Sequence, residues 1–164
     1  MIQGEPQILE VGAGAQRRPI AFRRRAPARA DLPRFVWLAG FKSDMGSTKA
    51  SALDAHCAER GYGVLRFDYS GHGASGGRFE DGTVSRWLEE CLALIRAQSE
   101  GPQVLVGSSM GGYLALLTAR ALAASGETAR LAGMALVAPA VDFTEALMWA
   151  RASEAVACRG WGLV

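Results

Sequence analysis

A parallel sheet covered on both faces by helices is the fold that these 164 residues predict. Strand-like and helix-like stretches alternate along the chain, and the strand-like ones are continuously apolar where a half-solvated antiparallel sheet would alternate. No internal repeat or low-complexity linker interrupts that order, so one domain spanning 1–164 is expected. A chain of this size buries roughly 68–70% of its unfolded surface, enough for one core.

Ile20 to Arg24 reads as a short strand, Pro27 and Pro33 bracket a loop, and Arg34 to Ala39 is an apolar strand ending at Gly40. Ser47 or Thr48 can cap a helix with Ala50, Leu53 and Cys57 on its apolar face, and Gly61 stands where a helix end needs positive φ. A strand from Gly63 to Tyr69 leads into a glycine-rich loop, Ser70 to Arg78. Val84, Trp87, Leu88, Cys91, Leu92 and Ile95 then repeat at helical spacing until Gly101 and Pro102. Gln103 to Val106 is a strand core, Met110 to Ala124 a helix with Tyr113, Leu114 and Leu117 on one side, and Leu131 to Val137 another strand. A last helix is expected from Phe143 to about Ala157.

Composition is that of a globular chain, 49% hydrophobic and 21% charged, and no run of about 18 apolar residues could cross a bilayer. Net charge is only +2, yet Arg17, Arg18, Arg23, Arg24, Arg25, Arg29 and Arg34 crowd the N-terminal part. They read as a solvated edge strand and its loop, where charge discourages strand pairing; nucleic-acid or membrane contact is the competing reading. No array of stacking aromatics interleaves with them, so no nucleic-acid partner is expected. Met1 to Glu10 lacks a basic region followed by an apolar stretch, which makes the cytoplasm the expected compartment. Cys57, Cys91 and Cys158 are odd in number and widely spaced, against a disulfide framework or a zinc site; the first two read as small core residues.

Gly107-Ser108-Ser109-Met110-Gly111 matches G-x-S-x-G, in which the central serine sits on a strained strand-to-helix turn and the glycines let neighbouring backbone approach. Gly73-Ala74-Ser75-Gly76-Gly77 matches it too. Val104-Leu105-Val106 precedes the first and a helical pattern follows it at once, whereas the second lies inside a loop. Ser109 is therefore the candidate nucleophile and Ser75 a loop residue. Such a serine needs donors for a developing oxyanion, one from the residue after it and one from a loop after an earlier strand. Met110 supplies the first, and Phe41 is the expected second unless Gly40-Phe41 is only a turn. Gly71 to Gly76 also satisfies G-x-G-x-x-G, but no helix begins inside it and no acidic residue ends the next strand, so dinucleotide binding has little support. No cofactor and no metal are implied.

Leu38-Ala39-Gly40-Phe41-Lys42-Ser43-Asp44-Met45, Thr48-Lys49-Ala50, Phe67 to Gly73, Gly107 to Gly112, Ala138-Pro139-Ala140 and Asp142-Phe143-Thr144 together resemble the α/β-hydrolase group that contains the mitochondrial palmitoyl-protein thioesterase, also described as an acyl-glucuronide esterase. The resemblance runs from about Arg34 to Trp149. It implies an α/β-hydrolase fold and hydrolysis of small-molecule or acyl-protein esters or thioesters, with an acyl-enzyme on Ser109 and an oxyanion hole of Phe41 and Met110. By the same mapping His72 shapes a loop and is not the base; His56, on the helix before the Gly63 to Tyr69 strand, reads as an exposed or partly packed helix residue. The family's acid and histidine follow the nucleophile. After Ser109 the acids are Glu127, Asp142, Glu145 and Glu154, and there is no histidine. Asp142 follows a strand, but the family's acid lies further on, so triad acid and base stay unassigned.

The expectation is an incomplete hydrolase domain, its cap and last strands missing through truncation or frameshift; reading the encoding DNA past Val164 tests it. Weak or absent turnover follows, together with self-association through the uncovered strand Leu131 to Val137. A non-catalytic homologue binding an acyl ligand or a protein is the alternative.

Overall fold

The computed structural model describes residues 4–141. Its elements are β1 (Gln7–Val11), β2 (Arg18–Arg25), β3 (Arg34–Leu38), α1 (Thr48–Arg60), β4 (Gly63–Phe67), α2 (Val84–Gln98), β5 (Gln103–Ser108), α3 (Met110–Ala124) and β6 (Leu131–Val137). One sheet holds the strands in the order β1-β2-β4-β3-β5-β6. The helix expected from Phe143 lies outside the described residues.

The expected parallel arrangement holds for β4, β3, β5 and β6, with Val36 opposite both Leu65 and Leu105. The sheet as a whole is mixed, because β2 runs antiparallel to both β4 and β1. β1 is an element that apolar patterning did not reveal. Only Val11 of its five residues is buried, so an edge strand of this kind carries no apolar run to betray it.

β2 is thereby an interior strand, and its arginines are not on the sheet's edge. Arg18 is buried: its Nε donates to Glu90 Oε1 at 2.5 Å and its Nη2 to Glu89 Oε2 at 2.5 Å. Glu90 has no exposed surface at all, and its other oxygen accepts the Ser70 N–H at 2.9 Å.

Gly61 closes α1 with φ 69°, the left-handed conformation its position called for. Thr83 caps α2 by accepting the Arg86 N–H on its side chain, and Trp87, Cys91, Leu94 and Ile95 on that helix are buried. Cys57 and Cys91 are core residues as expected. Burial pushes the Cys57 thiol up to about 11 and the Cys91 thiol further in the same direction.

From β3 the chain steps one way across the sheet to β4, then back over β3 to β5. Right-handed crossovers in opposite directions place α1 and α2 on opposite faces. At such a reversal the loops after β3 and β5 part, opening a crevice at the carboxyl ends of the strands. β6 is the last strand of the sheet among the described residues, and Met134 and Val137 on it are exposed.

Candidate active site

Ser109 links β5 to α3 with φ 55° and ψ −119°. That backbone conformation is disfavoured for any side chain larger than hydrogen and costs of order 1–3 kcal/mol. Neighbouring backbone holds it. The Ser109 N–H donates to the Val137 carbonyl at 3.0 Å, and the Ser109 carbonyl accepts from Gly112 and Ala140 at 2.9 and 3.1 Å. Among the described residues the other non-glycine positions with positive φ are Lys42 and Ala138. They follow β3 and β6, so all three strained residues lie at the carboxyl ends of parallel strands, as strain tends to cluster at functional sites.

The glycines around Ser109 are required by close approach. A methyl carbon on Gly111 would lie 2.0 Å from the Leu38 carbonyl oxygen, and one on Gly107 would lie 2.3 Å from the Gly111 carbonyl oxygen. One on Gly40 would come within 3.5 Å of Ser109 Cβ. The loop after β3 therefore passes directly beside Ser109, carrying Phe41 with it. Met110 is the first residue of α3, where a helix leaves its amide without an intrahelical acceptor. The three residues the sequence singled out, Ser109, Phe41 and Met110, thus meet at one place.

The others do not. Ser75 Oγ donates to the Asp68 carbonyl at 2.7 Å and accepts the Ala21 N–H at 2.8 Å, a loop fastening far from a nucleophile's role. α2 begins only at Val84, well past the Gly71 to Gly76 segment, which removes the helix terminus that a dinucleotide would need. His56 is exposed and rests against the Tyr62 ring, 6.0 Å between centroids. Glu127 is engaged with Arg96 at 2.5 Å and Arg130 at 3.1 Å, which holds its carboxyl down at about 2, its hydrogen bond from Arg96 contributing most. Asp142 lies outside the described residues.

Sequence reading alone did not find two supports of the site. Asp68 is 2% exposed and accepts the Met45 N–H at 2.6 Å and the Ala74 N–H at 2.8 Å, tying the loop after β3 to the loop after β4. Burial raises its carboxyl above the ordinary range, against the lowering effect of those two amides. Lys49, at the start of α1, donates from Nζ to Ser108 Oγ at 3.1 Å. It lines a pocket of about 390 Å³ together with Trp37, Phe41, Ser43, Ser108 and Ser109. Neither partner is near the other in sequence; only the proximity of Ser47-Thr48-Lys49 to the Gly40-Phe41 turn hinted at it.

Because the turn is strained, Ser109→Gly should stabilise the fold by about 1 kcal/mol in urea unfolding. A lowered midpoint would show that the serine side chain contributes more than its backbone costs.

A family model described as serine aminopeptidase, S33, matches residues 35–161. The mitochondrial palmitoyl-protein thioesterase ABHD10 of Bos taurus is 45% identical over 82 residues, which are 50% of this chain and 27% of that protein. A putative hydrolase from Agrobacterium vitis S4 superposes with a TM-score of 0.86 at 47% identity, over 92% of this chain and 58% of its own. Mouse alpha/beta hydrolase domain-containing protein 10 gives 0.63 at 33% identity, over 71% and 45%. The chain thus spans about a quarter of the curated relative's length and about half of the solved ones.

Proposed function

Because the chain belongs to the serine aminopeptidase S33 family of hydrolases and has the α/β-hydrolase fold, we propose that it cleaves carboxylic esters or thioesters through an acyl-enzyme on Ser109. The observation that carries this reading is the strained Ser109 backbone at the end of β5, with the Gly40-Phe41 loop packed against it. The thioesterase name of the curated relative adds thioesters to the substrate class.

In the proposed reaction Ser109 Oγ bonds to the acyl carbon while its proton passes to a general base. The carbonyl oxygen gathers charge and receives the Phe41 and Met110 amides. The alkoxide or thiolate leaves with that proton, and a water deprotonated by the same base then releases the acid. No cofactor or metal enters these steps.

A second reading, a non-catalytic homologue that binds an acyl ligand or a protein, draws on the histidines. Among the described residues His56 packs on Tyr62 toward the C-terminal end of α1, whereas the pocket at Ser109 is lined by Thr48 and Lys49 at its start, and His72 has both ring nitrogens hydrogen-bonded, so neither is placed to act as the base. A fluorophosphonate probe separates the two readings when imidazole is added to stand in for a base. Mass spectrometry should find the label on Ser109 and none in Ser109→Ala. Ser109 left unlabelled in the presence of imidazole would favour the binding module.

A further inference from the structure

Building on that reading, we propose that His72 is a positioning residue of the oxyanion hole: its imidazole accepts the Lys42 backbone N–H and holds the turn that presents Phe41. The Lys42 nitrogen lies 3.2 Å from His72 Nε2, and His72 Nδ1 lies 3.2 Å from the Ser70 carbonyl oxygen. An amide can only donate and a carbonyl can only accept. The two contacts therefore assign the tautomer, with the proton on Nδ1 and the lone pair of Nε2 facing Lys42.

Lys42 is a place where such support is needed. Its φ is 57°, and a lysine stays in that conformation only where its surroundings over-determine it. Its own side chain contributes from outside, the ammonium standing 5.9 Å from the Phe41 ring centroid and 5.4 Å from that of Phe79. His72 contributes from within. The ring is 5% exposed and meets Phe41, Phe79 and Trp87 edge-on with centroids 6.4, 5.2 and 5.3 Å away. Its backbone is anchored at both sides, the N–H donating to Tyr69 and the carbonyl accepting from Ser75. An acceptor fixed this firmly sets where the Lys42 amide sits, and with it the Phe41 carbonyl and Cα, one pair of torsions from the Phe41 N–H.

His72 touches no reacting atom in this arrangement, so its role is read from reactivity at Ser109 in variants that fold. In 15N-labelled protein, a nitrogen–nitrogen coupling through the hydrogen bond should connect the Lys42 amide to His72 Nε2. Labelling of Ser109 by fluorophosphonate with added imidazole should slow about 10²-fold in His72→Phe, the scale of a misplaced or lost oxyanion donor. His72→Gln, whose amide oxygen can reach the same amide, should recover most of that rate. Should His72→Phe fail to fold, His72→Asn, too short to reach Lys42, takes its place. A proton found on Nε2, or wild-type labelling rates in the variant lacking the acceptor, overturns the proposal. Failure of the wild type itself to label would instead defeat the acyl-enzyme reading, and this proposal with it.

Discussion

Purified as these 164 residues, the protein is expected to turn over p-nitrophenyl esters about 10⁶-fold more slowly than a serine hydrolase whose imidazole base is in place. A serine hydroxyl attacks carbonyl carbon poorly unless a neighbouring group takes its proton. The sequence has two histidines, and both precede Ser109. His56 packs on Tyr62 toward the far end of α1 from Thr48 and Lys49, which line the pocket at Ser109, and His72 spends one nitrogen on Lys42 and the other on Ser70. Lys49 reaches Ser108, not Ser109, in the hydrogen bonds of the site. The proposed oxyanion donors and the pocket would on their own leave about 10³ to 10⁴ over water. Ser109→Ala should then change the small residual rate little, and added imidazole should raise the rate of the wild type but not of the variant. Fast hydrolysis without imidazole, abolished by Ser109→Ala, would reveal a base that these residues do supply.

Arg18→Met is expected to destabilise the fold by about 3–5 kcal/mol, the cost of stripping one partner from a buried ion pair. Glu90 has no exposed surface, and Arg18 Nε sits 2.5 Å from its Oε1. The arginine also donates to the Gln16 carbonyl at 2.9 Å and the Arg86 carbonyl at 3.2 Å, so it joins the start of β2 to α2. Methionine fills much of the volume but leaves the Glu90 carboxylate with only the Ser70 amide. Replacing both, as Arg18→Met with Glu90→Leu, should recover much of the loss, since a packed apolar pair is often as stable as the ionic one. Urea unfolding of the single and double variants measures both effects. A loss under about 1 kcal/mol in Arg18→Met would show that water reaches Glu90 more readily than its burial indicates.

What the sequence made legible was what neighbouring residues decide. The turn at Ser109 is written in five consecutive positions, the amphipathic face of α2 in the spacing of Trp87, Cys91 and Ile95, and the end of α1 in Gly61. The loop that packs beside Ser109 could be located because Gly40 closes an apolar strand. Pairings between distant residues were not legible. Nothing in the β1 or β2 residues announces that β2 lies antiparallel to β4, which is why Arg18 looked like surface charge when it is an interior ion-pair partner. His72 could be assigned to a loop, yet its bond to an amide 30 residues away depends on how two loops meet. The same holds for Lys49 and Ser108, separated by 59 residues, and for the Asp68 tie.

The corner where β5 turns into α3 has no spare room. Added carbon at Gly107 or Gly111 would overlap carbonyl oxygens that no side-chain rotation can move aside. Any change in what the pocket admits is thus closed to the frame and left to the side chains that ring it, such as Ser43, while the bend beneath them must be inherited whole.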